Sequence, residues 1–173
     1  MNNQQVKITG PDEGKTVSVV GDTNRILLTG ESNNGTLACI DVLIPPGGGP
    51  IPHSHPGFHE YFYVIEGELT VRAERQEPYL ARKGAFVEIP KGGIIHQFKN
   101  ESEAVTHILI MVTPPGLDKF FNEIGKPVKW GEFLPVIEPS AEEKENLKNI
   151  AERYDQRLFP PDYLLKTGHQ NAK

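Results

Sequence analysis

The stretch "PIPHSHPGFHEYFYVIEG", residues 50–67, places three histidines and a glutamate within eight positions and then turns apolar. Imidazole nitrogens and a carboxylate are the donors that divalent transition metals take, so such a cluster either decorates a surface or converges on an ion. Neighbouring side chains on a strand point to opposite faces, so His53 and His55 share a face if "PIPHSHP" is extended, the conformation its prolines favour. The "HPGF" turn then brings the chain back. Alternation puts Glu60, Phe62 and Val64 on one face of the returning strand and His59, Tyr61, Tyr63 and Ile65 on the other. Only one of His59 and Glu60 can join the histidine pair. Both faces run apolar further along, so periodicity leaves that choice open. A stable site needs a fourth group, and His96 in "IPKGGIIHQFKN", at the start of another strand, is the leading candidate. His107 in "VTHILIM" is the weaker one.

Short strands must carry these residues. Gly (17) and Pro (15) fall between brief apolar runs, the punctuation of many strands rather than long helices. Nine strands are expected, over 16–20, 25–30, 36–44, 60–65, 68–74, 78–81, 85–89, 96–100 and 105–113. Turn chemistry at Gly67 and Gly84 closes hairpins between them. Some runs alternate with period two and others are continuously apolar, a mixture that suits an all-β sandwich or barrel.

The last third changes character. "LDKFFNEIGKP" sets Leu117, Phe120, Phe121 and Ile124 on one helical stripe, with Gly125 as the stop and Pro127 beyond it. "SAEEKENLKNIAERY" opens with Ser140 and Glu143 in capping-box spacing and carries Leu147, Ile150, Ala151 and Tyr154 on one stripe. Both read as structural helices packed on the barrel or on a partner subunit. The end, "KTGHQNAK", reads as a polar tail with a solvated His169.

Composition excludes several function classes. The 173 residues suffice for one domain that buries about 70% of its unfolded surface, so no disulfide is needed. None can form within the chain, because Cys39 is the only cysteine. A reducing, cytoplasmic setting is expected, since "MNNQQVKITG" has no apolar core of a secretory signal. No apolar run approaches the roughly 18 residues of a membrane span. With a net charge of −5 and scattered basic residues, no surface is built to neutralise a phosphate backbone. The expected partner is a small molecule, with no nucleic acid and no membrane.

The spacing then resembles a known family. "GGGPIPHSHPGFHEYFYVIEG" matches the first cupin motif, G(X)5HXH(X)3–4E(X)6G, through Gly47, His53, His55, Glu60 and Gly67. "GAFVEIPKGGIIHQFKN" is similar to the second, G(X)5PXG(X)2H(X)3N, through Gly84, Pro90, Gly92, His96 and Asn100. It departs at one point: three residues, not two, separate Gly92 from His96, and the extra one is expected in the turn. "GPDEGKTVSVVGDTNRILLTGE" and "VTPPGLDKFFNEIGKPV…AERYDQRLFPP" extend the resemblance to quercetin 2,3-dioxygenase-like bacterial cupins.

The resemblance selects Glu60 over His59. It implies a double-stranded β-helix, the cupin jelly-roll barrel, over residues 1–115 with the metal site in 47–100. A helical C-terminal extension over 116–173 would follow. It further implies one divalent metal ion, iron, manganese, nickel, cobalt or zinc, held by His53, His55, Glu60 and His96. A homodimer is implied as well, with the second face of "EYFYVI" and the N-terminal strands as the packing surface.

In such a barrel Phe62, Val64 and Phe98 would line the substrate pocket while also serving as core. Glu60 is the only acid placed to accept a substrate proton. The leading expectation is a dioxygenase-like oxidoreductase acting on a small enolisable or phenolic compound. The alternatives are a non-catalytic, metal-dependent small-molecule binding protein and a metal-assisted isomerase. Oxygen consumption separates the first from the other two.

Overall fold

The computed structural model describes residues 5–167. In chain order it contains β1 (Lys15–Val19), β2 (Asp22–Leu28), a 3-10 turn (Gly30–Asn33), β3 (Ala38–Ile44), β4 (His53–Ser54), β5 (His59–Glu66) and β6 (Glu68–Ala73). There follow β7 (Tyr79–Arg82), β8 (Phe86–Ile89), β9 (His96–Lys99), β10 (Thr106–Thr113), α1 (Leu117–Ile124), β11 (Lys126–Pro127), α2 (Ala141–Arg153), β12 (Arg157–Leu158) and α3 (Tyr163–Thr167). His169 lies outside the described residues.

The strands form two antiparallel sheets, a seven-stranded one ordered β11-β1-β2-β3-β10-β5-β8 and a five-stranded one ordered β12-β4-β9-β6-β7. This is a two-sheeted β-sandwich, as the strand pattern and the family resemblance lead one to expect. All nine expected strands are present. The run over 25–30 starts earlier, at Asp22, and stops at Leu28, because Thr29 caps the 3-10 turn by accepting the Ser32 N–H.

The core lies between the sheets and follows from alternation. On β3, Ala38, Ile40, Val42 and Ile44 point inward; on β10, Ile108, Ile110 and Val112; on β5, Phe62 and Val64. Leu69, Ala81 and Phe98 meet them from the smaller sheet. Each fully buried large side chain of this kind stabilises the fold by about 1.5–3 kcal/mol.

Gly67 makes the corner at which the chain leaves the larger sheet (β5) for the smaller (β6). Its φ is +81°, and a Cβ there would stand 2.7 Å from Thr106 Oγ1, so both conformation and space call for glycine.

The C-terminal third wraps this sandwich and adds β11 to one sheet and β12 to the other. Leu117 and Phe120 of α1 are buried, and Phe121 and Ile124 pack on the core beside them. In α2 the capping box forms: Ser140 Oγ accepts the Glu143 N–H at 3.2 Å, and Glu143 Oε2 accepts the Ser140 N–H at 2.7 Å. Leu147, Ile150, Ala151 and Tyr154 lay their stripe on the same core.

Candidate metal centre

Four polar side chains break the apolar interior at one end of the sandwich. His53 sits on β4 directly opposite His96 on β9. His55 follows β4, and Glu60 is the second residue of β5. Their exposures are 6, 1, 3 and 0% for His53, His55, Glu60 and His96, and one donor atom from each lies within 4.8 Å of all the others. Burying three imidazoles and a carboxylate without compensating charge is unfavourable, so this grouping needs a reason.

Hydrogen bonding gives the rings one orientation. Each Nδ1 lies against a backbone carbonyl: His53 against Ile51 O at 2.9 Å, His55 against Phe58 O at 3.0 Å and His96 against Ile94 O at 3.0 Å. A carbonyl oxygen only accepts, so each Nδ1 carries the proton and donates it. In the neutral ring the lone pair is then on Nε2. Backbone anchoring of the far nitrogen is how metal-binding histidines are held in register. Phe58 adds a steric anchor, its ring stacked on His55 with centroids 4.1 Å apart.

Glu60 faces these lone pairs. Its Oε2 lies 3.1 Å from His55 Nε2 and 3.5 Å from His96 Nε2. His96 Nε2 is buried and has no hydrogen-bond partner. Acceptors cannot approach so closely in a dry interior unless a proton or a cation lies between them. Burial pushes the Glu60 carboxyl up, but a proton or positive charge shared with the His55 and His96 rings outweighs it and holds the group well below the usual carboxylate range. Burial first, then the positive field of His96, pushes His53 down to about 3, so its ring is neutral across the ordinary pH range. The set presents one carboxylate and three imidazoles, a mixed oxygen and nitrogen donor group that could hold a divalent ion.

The second motif shapes this end through the turn before β9. Gly92 N donates to Pro56 O at 3.0 Å, and both Gly92 and Gly93 have positive φ. The additional residue between Gly92 and His96 is absorbed there, and the His96 ring still reaches the other three. Asn100, fully buried, ties the motifs together. Its Nδ2 donates to Ile44 O at 2.9 Å and Ala104 O at 2.7 Å, while Oδ1 accepts from Ser102 N at 3.0 Å and Ser102 Oγ at 2.8 Å.

The remaining candidates are placed elsewhere. His59 is on the outer face of β5, stacked on Tyr61 with centroids 6.0 Å apart, and its Nδ1 lies 4.0 Å from Glu88 Oε1. His107, on the outer face of β10, hydrogen-bonds Asp41 through Nε2. Asp41 also accepts from Arg25 at 2.5 Å, and the Arg25 guanidinium lies 4.7 Å over the Trp130 ring. This network fastens the segment before α2 to the outer face of the larger sheet. Periodicity places His107 on the barrel wall but gives no sign of its partner Asp41, 66 residues away in sequence, or of Arg25 and Trp130 beyond it. Phe62, Val64 and Phe98 are interior, with the Phe62 and Phe98 rings 5.1 Å apart. Two surface hollows, one lined by Glu152, Asp155, Gln156 and Arg157 and the other by Thr29, Glu31, Asp118, Lys119, Asn122, Glu123 and Tyr154, include none of the four donors. Among the described residues no helix is long and apolar enough to cross a membrane.

Comparison with known proteins adds four findings. A family profile described as a cupin domain matches residues 40–113, a span that contains all four donors. Over 150 residues the chain is 26% identical to the quercetin 2,3-dioxygenase of Bacillus subtilis (strain 168), covering 86% of this chain and 43% of that protein. It is 30% identical over 95 residues to the tetracenomycin polyketide synthase protein TcmJ of Streptomyces glaucescens, covering 54% of this chain and 62% of that one. The chain thus spans less than two thirds of either relative. Among solved structures, KdgF from Halomonas sp. superposes with a TM-score of 0.57 at 19% identity, over 66% of this chain and 99% of that one, a likeness of fold.

Proposed function

We propose, on the premise that the chain is a cupin-superfamily protein, that His53, His55, Glu60 and His96 bind one divalent metal ion and that the centre works as a dioxygenase-like oxidoreductase. The observation that carries the metal reading is the shared Nδ1 anchoring of three buried rings, which leaves their Nε2 atoms facing the Glu60 carboxylate. The dioxygenase reading is supported by the relative of that name, which aligns over 86% of this chain. Since less than half of that relative is covered, its flavonol substrate is not carried over. The substrate class is a small enolisable or phenolic compound.

A redox-capable metal bound there supplies a Lewis acid for an acidic hydroxyl and a meeting point for dioxygen. The chain's own residues do the rest. The three backbone-anchored imidazoles fix the donor geometry. The Glu60 carboxylate, kept ionised, accepts the proton that leaves the substrate hydroxyl. Phe62, Val64 and Phe98 form a dry wall that excludes water and packs against an apolar ring or chain.

Elemental analysis of the purified protein, followed by oxygen-electrode assays with flavonols and simple enediols, tests this. The expected result is about one metal per chain and oxygen uptake that stops when the metal is removed. Absence of metal after growth with divalent ions overturns the reading outright. Metal-dependent binding of such compounds without oxygen uptake would assign a non-catalytic binding protein instead, and turnover without oxygen an isomerase.

A further inference from the structure

β12 pairs with β4 antiparallel, Arg157 opposite Ser54 and Leu158 opposite His53. Opposed residues in such a pair share a face. Leu158 accordingly turns inward with His53 and packs on the core, whereas Arg157 is exposed. Carried one residue further, the same register would set Gln156 opposite His55, and Gln156 is buried. The two segments stay in contact past the paired residues: a Cβ on Gly57 would stand 2.0 Å from Asp155 Oδ2. At the other end Phe159 N donates to Pro52 O at 2.9 Å.

Gln156 is 5% exposed, and its backbone N–H is held by Ala151 O at 3.0 Å at the end of α2. Its side-chain Nε2 is buried and has no acceptor. A buried amide donor without a partner is unfavourable, and such groups in native proteins are usually completed by something that binds. Gln156 also borders the hollow it shares with Glu152, Asp155 and Arg157, so it is not sealed from the surface.

We propose that Gln156 is a ligand-binding residue of the centre, donating from Nε2 to an anionic oxygen, enolate or phenolate, of the small molecule that enters beside His55. This rests on the metal-centre reading above and adds to it a specificity-determining group from the C-terminal extension.

The test uses the full chain loaded with cobalt(II) and titrated with 4-nitrocatechol, followed by visible absorption. Gln156→Met keeps length and loses the donor; Gln156→Glu keeps shape and replaces the donor with an acceptor. Both are expected to hold cobalt, and Gln156→Met to melt like the parent, whereas Gln156→Glu, which buries a carboxylate, melts somewhat earlier. The 4-nitrocatechol Kd should weaken about tenfold in Gln156→Met and further in Gln156→Glu. A Gln156→Met protein that binds the catechol as tightly as the parent overturns the proposal and leaves the metal centre standing. If Gln156→Met does not fold, Gln156→Glu decides by the same comparison. If both variants lose cobalt or melt early, Gln156 is a packing residue and the proposal falls. A parent protein that takes up no cobalt removes the metal reading itself, and this inference with it.

Discussion

His53 and His96 face each other across the β4–β9 pair with ring centroids 4.3 Å apart. The pairing brings together residues 43 positions apart in the chain, and Glu60 closes the group from the other sheet. Removing any one of the three rings should therefore open the group. His55→Ala and His96→Ala are expected to lower metal affinity by more than about 100-fold, beyond what loss of a supporting residue outside the ligand set costs. His59→Ala, on the outer face, should leave metal content unchanged. The check is metal analysis of each variant after dialysis. A protein emptied by His59→Ala but not by Glu60→Gln would show that the wrong face of β5 has been chosen.

Ligand linkage gives a second prediction. An ion bound to the folded chain at about 100 times its Kd adds ~2.7 kcal/mol of stability. In a domain of this size that corresponds to a melting shift of about 5–10 °C. A chelator should lower the melting temperature by this order. Reductant should not move it, because Cys39 has no other cysteine to pair with. Differential scanning fluorimetry with and without each reagent reads both effects. A melting curve that does not move after verified metal removal would uncouple the site from folding.

Asn100 carries a third. It satisfies two carbonyls and accepts from Ser102 twice, while its backbone exchanges hydrogen bonds with Gly47 and Gly48 at 2.8 and 3.0 Å. Asn100→Ala strands the Ile44 carbonyl in the interior and should cost about 1–3 kcal/mol. Urea unfolding measures it. A loss under about 0.5 kcal/mol, the size of an ordinary surface change, would mean that water takes over these bonds.

The strands were legible because each carries its own local pattern: β10 alternates buried and half-buried along all eight residues, and β3 is bounded by turns. β5 was legible as a strand but not in its facing. Phe62 and Val64 line one side and Tyr61 and Tyr63 the other, so hydrophobicity does not distinguish inside from outside, and the motif spacing was needed to favour Glu60. The strands β4, β11 and β12 have two residues each, too few for any period to register. They exist because distant segments dock on sheet edges. The Asp41–His107–Arg25 network and the docking of Arg157 and Leu158 against β4 arise the same way, from tertiary register with no local signature.

Asp22 offers a prediction in which the pH dependence can be worked out in sign. It lies at the start of β2, buried, with Oδ1 accepting the Gly49 N–H at 3.2 Å. Burial lifts its carboxyl from 3.8 to about 7, and the single hydrogen bond from Gly49 only partly opposes this. Below the unfolded value both states are protonated and nothing is lost. Between that value and about 7 the folded protein keeps a proton that the unfolded chain has released, so stability falls as pH rises through this window. Above it the full cost of a buried carboxylate remains. An asparagine side chain has the same shape and an oxygen for Gly49 but no charge, so Asp22→Asn should match the parent near pH 3. At pH 8 it should be more stable by up to ~4 kcal/mol, the equivalent of about three pH units. Urea midpoints for the two proteins at several pH values give the difference curve, from which every other titrating group cancels. A difference that stays flat from pH 3 to 8 would mean that water or a shift of the Gly47–Gly49 loop solvates the carboxylate in the folded state.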